Sequence, residues 1–257
     1  MELLFLTLLA FLAGFIDAVV GGGGLIQIPA LFSVLPQAAP ATLFGTNKLA
    51  AVCGTAIAAV RYARLVRVRW SAALPAALSA FVFSFVGAAA VSHLPAAVIR
   101  PIVLLLLILV AVYTFMRKDF GRLHAPKHEG GREQAYGALL GMVLGFYDGF
   151  FGPGTGSFLI FLFVRFFGFD FLAASAASKV VNVATNVAAL SFFAATDNIL
   201  FHYAVPMALA NMLGSVVGTR TAVRRGVGFV RVLFLIVLAV LIVRFVWDTW
   251  VMLGRPS

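Results

Sequence analysis

Gly14 to Gly24 reads GFIDAVVGGGG, and Gly145 to Thr155 reads GFYDGFFGPGT. Each copy sets an acid, Asp17 or Asp148, and a glycine cluster inside an otherwise apolar run. An ionisable group in hydrocarbon is costly, and a run of glycines weakens a helix and frees backbone groups that lipid cannot satisfy. The stretch therefore lines something polar. A constant shift of 131 residues carries Gly14, Phe15, Asp17, Gly21 and Gly23 onto Gly145, Phe146, Asp148, Gly152 and Gly154. Without a gap, the same shift carries Lys48 to Lys179, Pro75 to Pro206 and Gly87 to Gly218, so the chain contains an internal duplication.

With 63% of its 257 residues hydrophobic, 11% charged and a mean hydropathy of +1.07, the chain reads as an integral membrane protein, not a soluble domain. The one long polar stretch, Arg117 to Gln134, leaves little room for a soluble catalytic unit. The formal charge of +10 sits in short arginine clusters between apolar spans, where it reads as a topology signal and lipid headgroup contact, not as a nucleic-acid surface. A single cysteine, Cys53, excludes an intramolecular disulfide. Met1 to Val20 starts with Glu2 where a leader would carry basic residues, and it contains the Asp17 motif, so a mature first helix is expected. His93, His124, His128 and His202 lack metal-ligand spacing, and His124 and His128 flank Pro126 in what reads as a solvated loop. No metal, cofactor or enzymatic constellation is expected.

Apolar segments run from Met1 to Val20, Leu25 to Leu35, Ala41 to Val60, Ser71 to Val91 and Ala96 to Met116. They recur from Gln134 to Phe151, Ser157 to Phe167, Phe171 to Ala195, Ile199 to Val217 and Val227 to Val251. A bilayer core of ~30 Å takes about 20 helical residues, so most segments fit one crossing. The short segments at Leu25 and Ser157 do not cross alone, and each joined to its predecessor makes a rod of ~50 Å, too long for one pass. A hairpin broken at the glycines fits better.

Charge placement supports the hairpins. Arg61, Arg64, Arg67 and Arg69 follow the third segment; Arg117, Lys118, Arg122, Lys127 and Arg132 fill the central loop; Arg220, Arg224, Arg225 and Arg231 follow the ninth. All three clusters fall on the cytoplasmic side only if each glycine-broken pair enters and leaves on one face. The basic loop Arg61 to Arg69 maps by the shift onto Phe192 to Leu200, which has no Lys or Arg, while Val91 to Arg100 maps onto the basic Ala222 to Arg231. This swap of charge bias is what two copies of opposite orientation require. Trp70, Trp247 and Trp250 sit at segment ends as interfacial anchors, and Arg244 snorkels from the last segment. The expected fold is an all-α polytopic membrane protein of two inverted repeats, each with a glycine-broken helical hairpin plus three spanning helices. Residues 1–116 form the first repeat, 117–134 a basic cytoplasmic linker and 135–257 the second repeat, with both termini periplasmic.

Broken hairpins meeting near the midplane build a substrate site from freed N–H groups and the positive ends of short helices, which suits an anion. Gly22, Gly23, Gly24, Gly154, Gly156 and Ser157 belong to that set; the competing reading is that glycines only permit close packing. Lys48 and Lys179 lie well inside apolar segments, where a lysine must find a partner or deprotonate. Two readings stand: direct attraction of an anionic substrate, or pairing with Asp17 and Asp148, within a copy or crossed between copies. Asn47, Asn182 and Asn186, with Thr46, Thr155 and Ser178, supply further donors, and Lys179, Asn182 and Asn186 share a helical face. Gln27, just past the first glycine break, completes the set.

GFIDAVVGGGG, the later Thr46-Asn47-Lys48, GFYDGFFGPGTGSF from Gly145 to Phe158 and SKVVNVATN from Ser178 to Asn186 resemble the sulfite exporter TauE/SafE family, also called the 4-toluenesulfonate uptake permease family. The resemblance covers essentially the whole chain. It implies a bacterial inner-membrane transporter with repeated halves that moves small sulfur-containing anions such as sulfite, sulfoacetate or other organosulfonates. Gly24 and Leu25 stand where the second copy has Thr155 and Gly156, so the halves are not expected to contribute equally. The expected mechanism is alternating access, with Lys48 and Lys179 neutralising the anion and Asp17 or Asp148 carrying a coupling proton. An anion channel, an inert membrane scaffold, or a transporter of another anion such as a carboxylate are the alternatives.

Overall fold

A computed structural model describes residues 1–116 and 127–225, together with Val243 and Trp247. The segment Val227 to Val251, with Arg231, Arg244 and Trp250, lies outside the described residues except at those two positions, as do Arg117, Lys118, Arg122 and His124 of the linker. The described residues form helices and no strand. They are α1 (Glu2–Val20), α2 (Gly24–Val34), α3 (Pro40–Leu65), α4 (Trp70–Ser92), α5 (Ala96–Met116), α6 (Gly130–Phe150), α7 (Thr155–Arg165), α8 (Phe171–Ala195) and α9 (Phe201–Arg225). Among them α1, α3, α4 and α8 are long and apolar enough to cross a membrane.

Both glycine clusters break the chain. α1 stops where Gly21 adopts the left-handed conformation (φ 77°) that a residue with a Cβ resists, and its N–H donates to Asp17 O at 2.9 Å. The chain turns through Gly22 and Gly23, and α2 begins at Gly24, slightly before the expected start at Leu25. In the second copy α7 begins at Thr155, again ahead of the expected Ser157. Elsewhere the ends follow ordinary capping: Pro40 opens α3, and Asp170 caps α8 by accepting from Ala173 N at 2.9 Å.

Side by side the long helices run α1, α9, α3, α8, α4, α6, each packed on the next, with α2 against α1 and α3 and α7 against α8 and α6. The outer pairs approach closely because their facing residues are small. On α6, Gly137, Gly141, Gly145 and Gly149 recur every fourth residue and lie against the backbone of Ala72, Ala76, Ala80 and Ser84 on α4. A Cβ on Gly137 would sit 2.7 Å from Ala72 O. On the other flank Gly14 of α1 meets the backbone of Asn211, while Gly214 and Gly218 of α9 meet Phe11 and Phe15. Lipid is as apolar as leucine, so van der Waals contact between closely approaching backbones is what holds such helices together. Single hydroxyls add to it: Ser84 Oγ donates to Thr185 O at 2.8 Å, joining α4 to α8, and Ser215 Oγ donates to Gly54 O at 2.7 Å, joining α9 to α3.

The two central helices α3 and α8 therefore touch each other and are each backed by a helix of the other half. What they carry at their contact is polar.

Gly141→Leu is expected to lower stability by at least about 1–3 kcal/mol, because its side chain would overlap Ala76 O and Ser79 Oγ. Gly131→Ala meets nothing within 4 Å and is expected to be neutral or slightly stabilising. Thermal unfolding of the detergent-solubilised variants checks both.

Candidate functional site

Lys48 lies in the third turn of α3 and Lys179 in the corresponding turn of α8, each 2% exposed or less. A lysine so placed either loses its proton or finds a carboxylate. Both find one, and the pairing is crossed between the copies. Lys48 Nζ lies 2.6 Å from Asp148 Oδ2, at the end of α6, and Lys179 Nζ lies 2.8 Å from Asp17 Oδ2, at the end of α1. The two acids and two bases sum to zero charge.

The pairs differ in their surroundings. Asp17 Oδ2 also accepts from Thr55 Oγ1 at 3.1 Å, and Lys179 donates in addition to the Asp17 carbonyl, which belongs to the last turn of α1. Lys48 makes one side-chain contact, to Asp148, and its ammonium lies 3.1 Å from where a Cβ on Gly152 would stand. A side chain at position 152 would press on that ammonium.

The hairpin tips meet at the same level. Ser157 N donates to Gly21 O at 3.1 Å and Ser157 Oγ donates to Val20 O, so α7 is tied directly to the end of α1. Gly156 is required here: its Cβ would stand 2.7 Å from Gly21 Cα. Between the tips and the central helices lies a cavity of about 30 Å³. A cavity of that size takes about a water or two, not an oxyanion of four or more heavy atoms.

Of the residues expected in the site, Asp17, Gly23, Gly24, Gln27, Asn47, Lys48, Asp148, Gly154, Gly156, Asn182 and Asn186 line this cavity. Gln27 stands out, because it is 1% exposed and neither its amide nitrogen nor its amide oxygen has a hydrogen-bond partner. Asn47 Oδ1 is likewise buried without a partner. An unpaired buried amide costs about 1–3 kcal/mol, which points to a role outside stability. Asn182 and Asn186 are bonded to each other, Nδ2 of Asn186 donating to Oδ1 of Asn182 at 2.9 Å.

Other expected residues fall outside the cavity lining. Thr46 Oγ1 donates to Thr42 O and accepts from Leu200 N, Thr155 Oγ1 donates to Gly152 O, and Ser178 Oγ donates to Gly156 O. With Ser157, these hydroxyls serve the backbone of the helices and hairpin tips. Gly22 is buried in the first turn, and Lys179 reaches the site through Asp17. Two polar lining residues escape notice in the sequence, Thr55 and Asn211. Thr55 had a signal, since the 131-residue shift carries it onto Asn186; the shift pairs Asn211 with Ala80, which carries none. His128 is not simply solvated: it packs against Tyr136 at 4.8 Å between ring centroids and faces Phe167 at 6.2 Å.

Taken together, an all-helical membrane bundle with a charge-balanced polar centre between two broken hairpins has the architecture of a membrane transporter. The chain belongs to the sulfite exporter TauE/SafE family, whose model matches residues 6–245. It is 36% identical over 246 residues to Probable membrane transporter protein ORF9 of Sinorhizobium sp, covering 96% of this chain and 93% of that one. It is 33% identical to Probable membrane transporter protein YfcA of Escherichia coli (strain K12), covering 95% and 89%, and 31% identical to a probable membrane transporter protein of Haemophilus influenzae, covering 93% and 92%. No solved structure matches it.

Removing one partner of a buried pair strands the other charge, at a cost of about 3–5 kcal/mol. Lys179→Met is therefore expected to destabilise strongly, and Lys179→Met with Asp17→Leu to recover most of the loss. A double-mutant cycle of unfolding in detergent measures the difference.

Proposed function

We propose that this chain is a secondary transporter that moves small sulfur-containing anions, sulfite or organosulfonates such as sulfoacetate, across the bacterial inner membrane by alternating access. The observation that carries the reading is the neutral, crossed set of ion pairs around a water-sized cavity lined by the unpartnered Gln27 amide and the unpartnered Asn47 Oδ1. A neutral site accepts an anion at lowest electrostatic cost if a proton arrives with it, because protonating Asp148 frees Lys48 to face the substrate. Gln27, Asn47 and Lys48 then offer donors to its oxygens, beside the N-terminal ends of α2 and α7. Asp17 and Asp148 are the proton-coupling groups, and Asp148, whose pair has the fewer supporting contacts, is the one assigned the coupling proton.

The substrate class is taken from the family's description. A cavity of water size supports alternating access over an open anion channel, since an anion enters only when the tips separate. Several contacts support two inverted repeats, and the charge bias of the loops is the ground for setting the termini on the periplasmic side. Tyr203 donates to Glu2 at the start of α1, and Thr42 at the start of α3 donates to Asn198, all at one end of the bundle. At the other end of α3, Arg69 meets Glu133 at the start of α6, Nε to Oε1 at 3.1 Å. The hairpins thus begin at opposite ends of α3. On this reading residues 1–116 and 135–257 are the repeats and 117–134 the cytoplasmic linker.

Uptake into sealed proteoliposomes tests the proposal, with a sulfonate preferred because it stays ionised across the pH range used. Acid outside is expected to accelerate saturable uptake of sulfoacetate over that of sulfate or a carboxylate of similar size. In Asp148→Asn the response to the gradient is expected to vanish. Equal transport of the carboxylate would redirect the substrate assignment, and rates near those of a channel would replace the mechanism.

A further inference from the structure

The ends of α3 and α9 carry a second feature, independent of the transport site. Arg61 and Arg64 on α3, and Arg220 and Arg224 on α9, line one cavity of about 350 Å³ together with Thr219. No carboxylate lines it, and among the described residues none of the four guanidiniums takes part in an ion pair. Arginine does not deprotonate to relieve such crowding. The carbonyl ends of the two helices contribute about half a negative charge each, too little to balance four cations. Arg64, Arg220 and Arg224 are exposed, so the cluster is open to a ligand from outside the chain, and the planar fork of each guanidinium matches phosphate oxygens in pairs.

A neighbouring cavity of about 480 Å³ shares Arg64 and Leu65 and continues past Arg67 over Val66 and Val68 to the exposed Trp70. The cationic cavity thus continues into a mixed track, Arg67 beside Leu65, Val66 and Val68, edged by an interfacial tryptophan, a layout that suits a headgroup with the start of its acyl chain. The 131-residue shift carries Arg61, Arg64, Arg220 and Arg224 onto Phe192, Ala195, Ala89 and His93, so the feature exists at one end of the duplicated fold only. A lipid phosphate belongs on one leaflet, and this asymmetry agrees with it.

We propose that the arginine cavity between α3 and α9 binds the phosphates of an anionic phospholipid. It joins two helices that both reach the central cavity, α3 through Lys48 and α9 through Asn211. The bound lipid therefore holds together helices from the two halves.

The test uses the full chain, purified in detergent and delipidated, with native mass spectrometry and thermal unfolding as readouts. Diphosphatidylglycerol, whose two phosphodiesters suit four guanidiniums, is expected to remain bound and raise Tm. Phosphatidylcholine and inorganic phosphate are expected to do neither. Replacing all four arginines by Gln is expected to weaken lipid retention by at least about tenfold. Arg132→Gln with Arg165→Gln, outside the cavity, is expected to leave retention unchanged. If the fourfold variant does not fold, Arg220→Gln with Arg224→Gln, both exposed in the structure, carries the comparison. Stabilisation by inorganic phosphate alone, equal retention of phosphatidylcholine, or wild-type retention after the arginines are removed would each overturn the assignment.

Discussion

An ammonium inside a lipid-embedded bundle must be neutralised, and here each lysine is neutralised by the acid of the other copy. That single requirement fixes much of the rest. Lys48 can reach Asp148, and Lys179 can reach Asp17, only if α3 and α8 lie side by side at the centre with the ends of α6 and α1 brought to them. Pairing within a copy would have let each half close on itself. Crossed pairing makes neither half electrostatically complete alone, since desolvation of the four charges is offset only when the halves are assembled.

Sterics supply the second constraint. The ends of α1 and α6 come within reach of the central lysines because glycines replace side chains along their packed faces, Gly137 to Gly149 on α6 and Gly214 and Gly218 opposite α1. The same residue type does something else at the tips. There Gly21 supplies a left-handed turn, and Gly156 lets two hairpins touch backbone to backbone. The packing reading and the site reading of glycine are both right, at different positions.

The copies are not equal partners. Asp17 is held by Lys179 and Thr55, whereas Asp148 is held by Lys48. Gln27 lies buried and unpaired on the first hairpin, and only the second hairpin contributes a seryl bond across the tips. The two crossed ion pairs are thus unequal, Asp17 with Lys179 more firmly held than Asp148 with Lys48. The arginine cavity at one end of α3 and α9 extends that inequality to the membrane surface.

Much of this was legible in the chain itself. Hydropathy, the glycine breaks and the 131-residue period depend on local chemistry, and they define helical segments, two hairpins and a polar set containing Asp17, Gln27, Asn47, Lys48, Asp148, Asn182 and Asn186. The sequence left open which lysine meets which acid, because the spacing permits both pairings and only the packing of α3 on α8 selects one. It also gave no means of separating hydroxyls that face the cavity from those that satisfy backbone, so Thr46, Thr155, Ser157 and Ser178 read like Asn47. A side chain's direction is set by the helix's rotation in the bundle. Asn211 lines the cavity for the same reason: the 131-residue shift pairs it with Ala80, which does not mark it, and it reaches the cavity because α9 packs on α3. The sequence determined which groups cannot face lipid; the tertiary structure decided which of them face one another, since a buried charge must have a partner but the chain alone does not say whose.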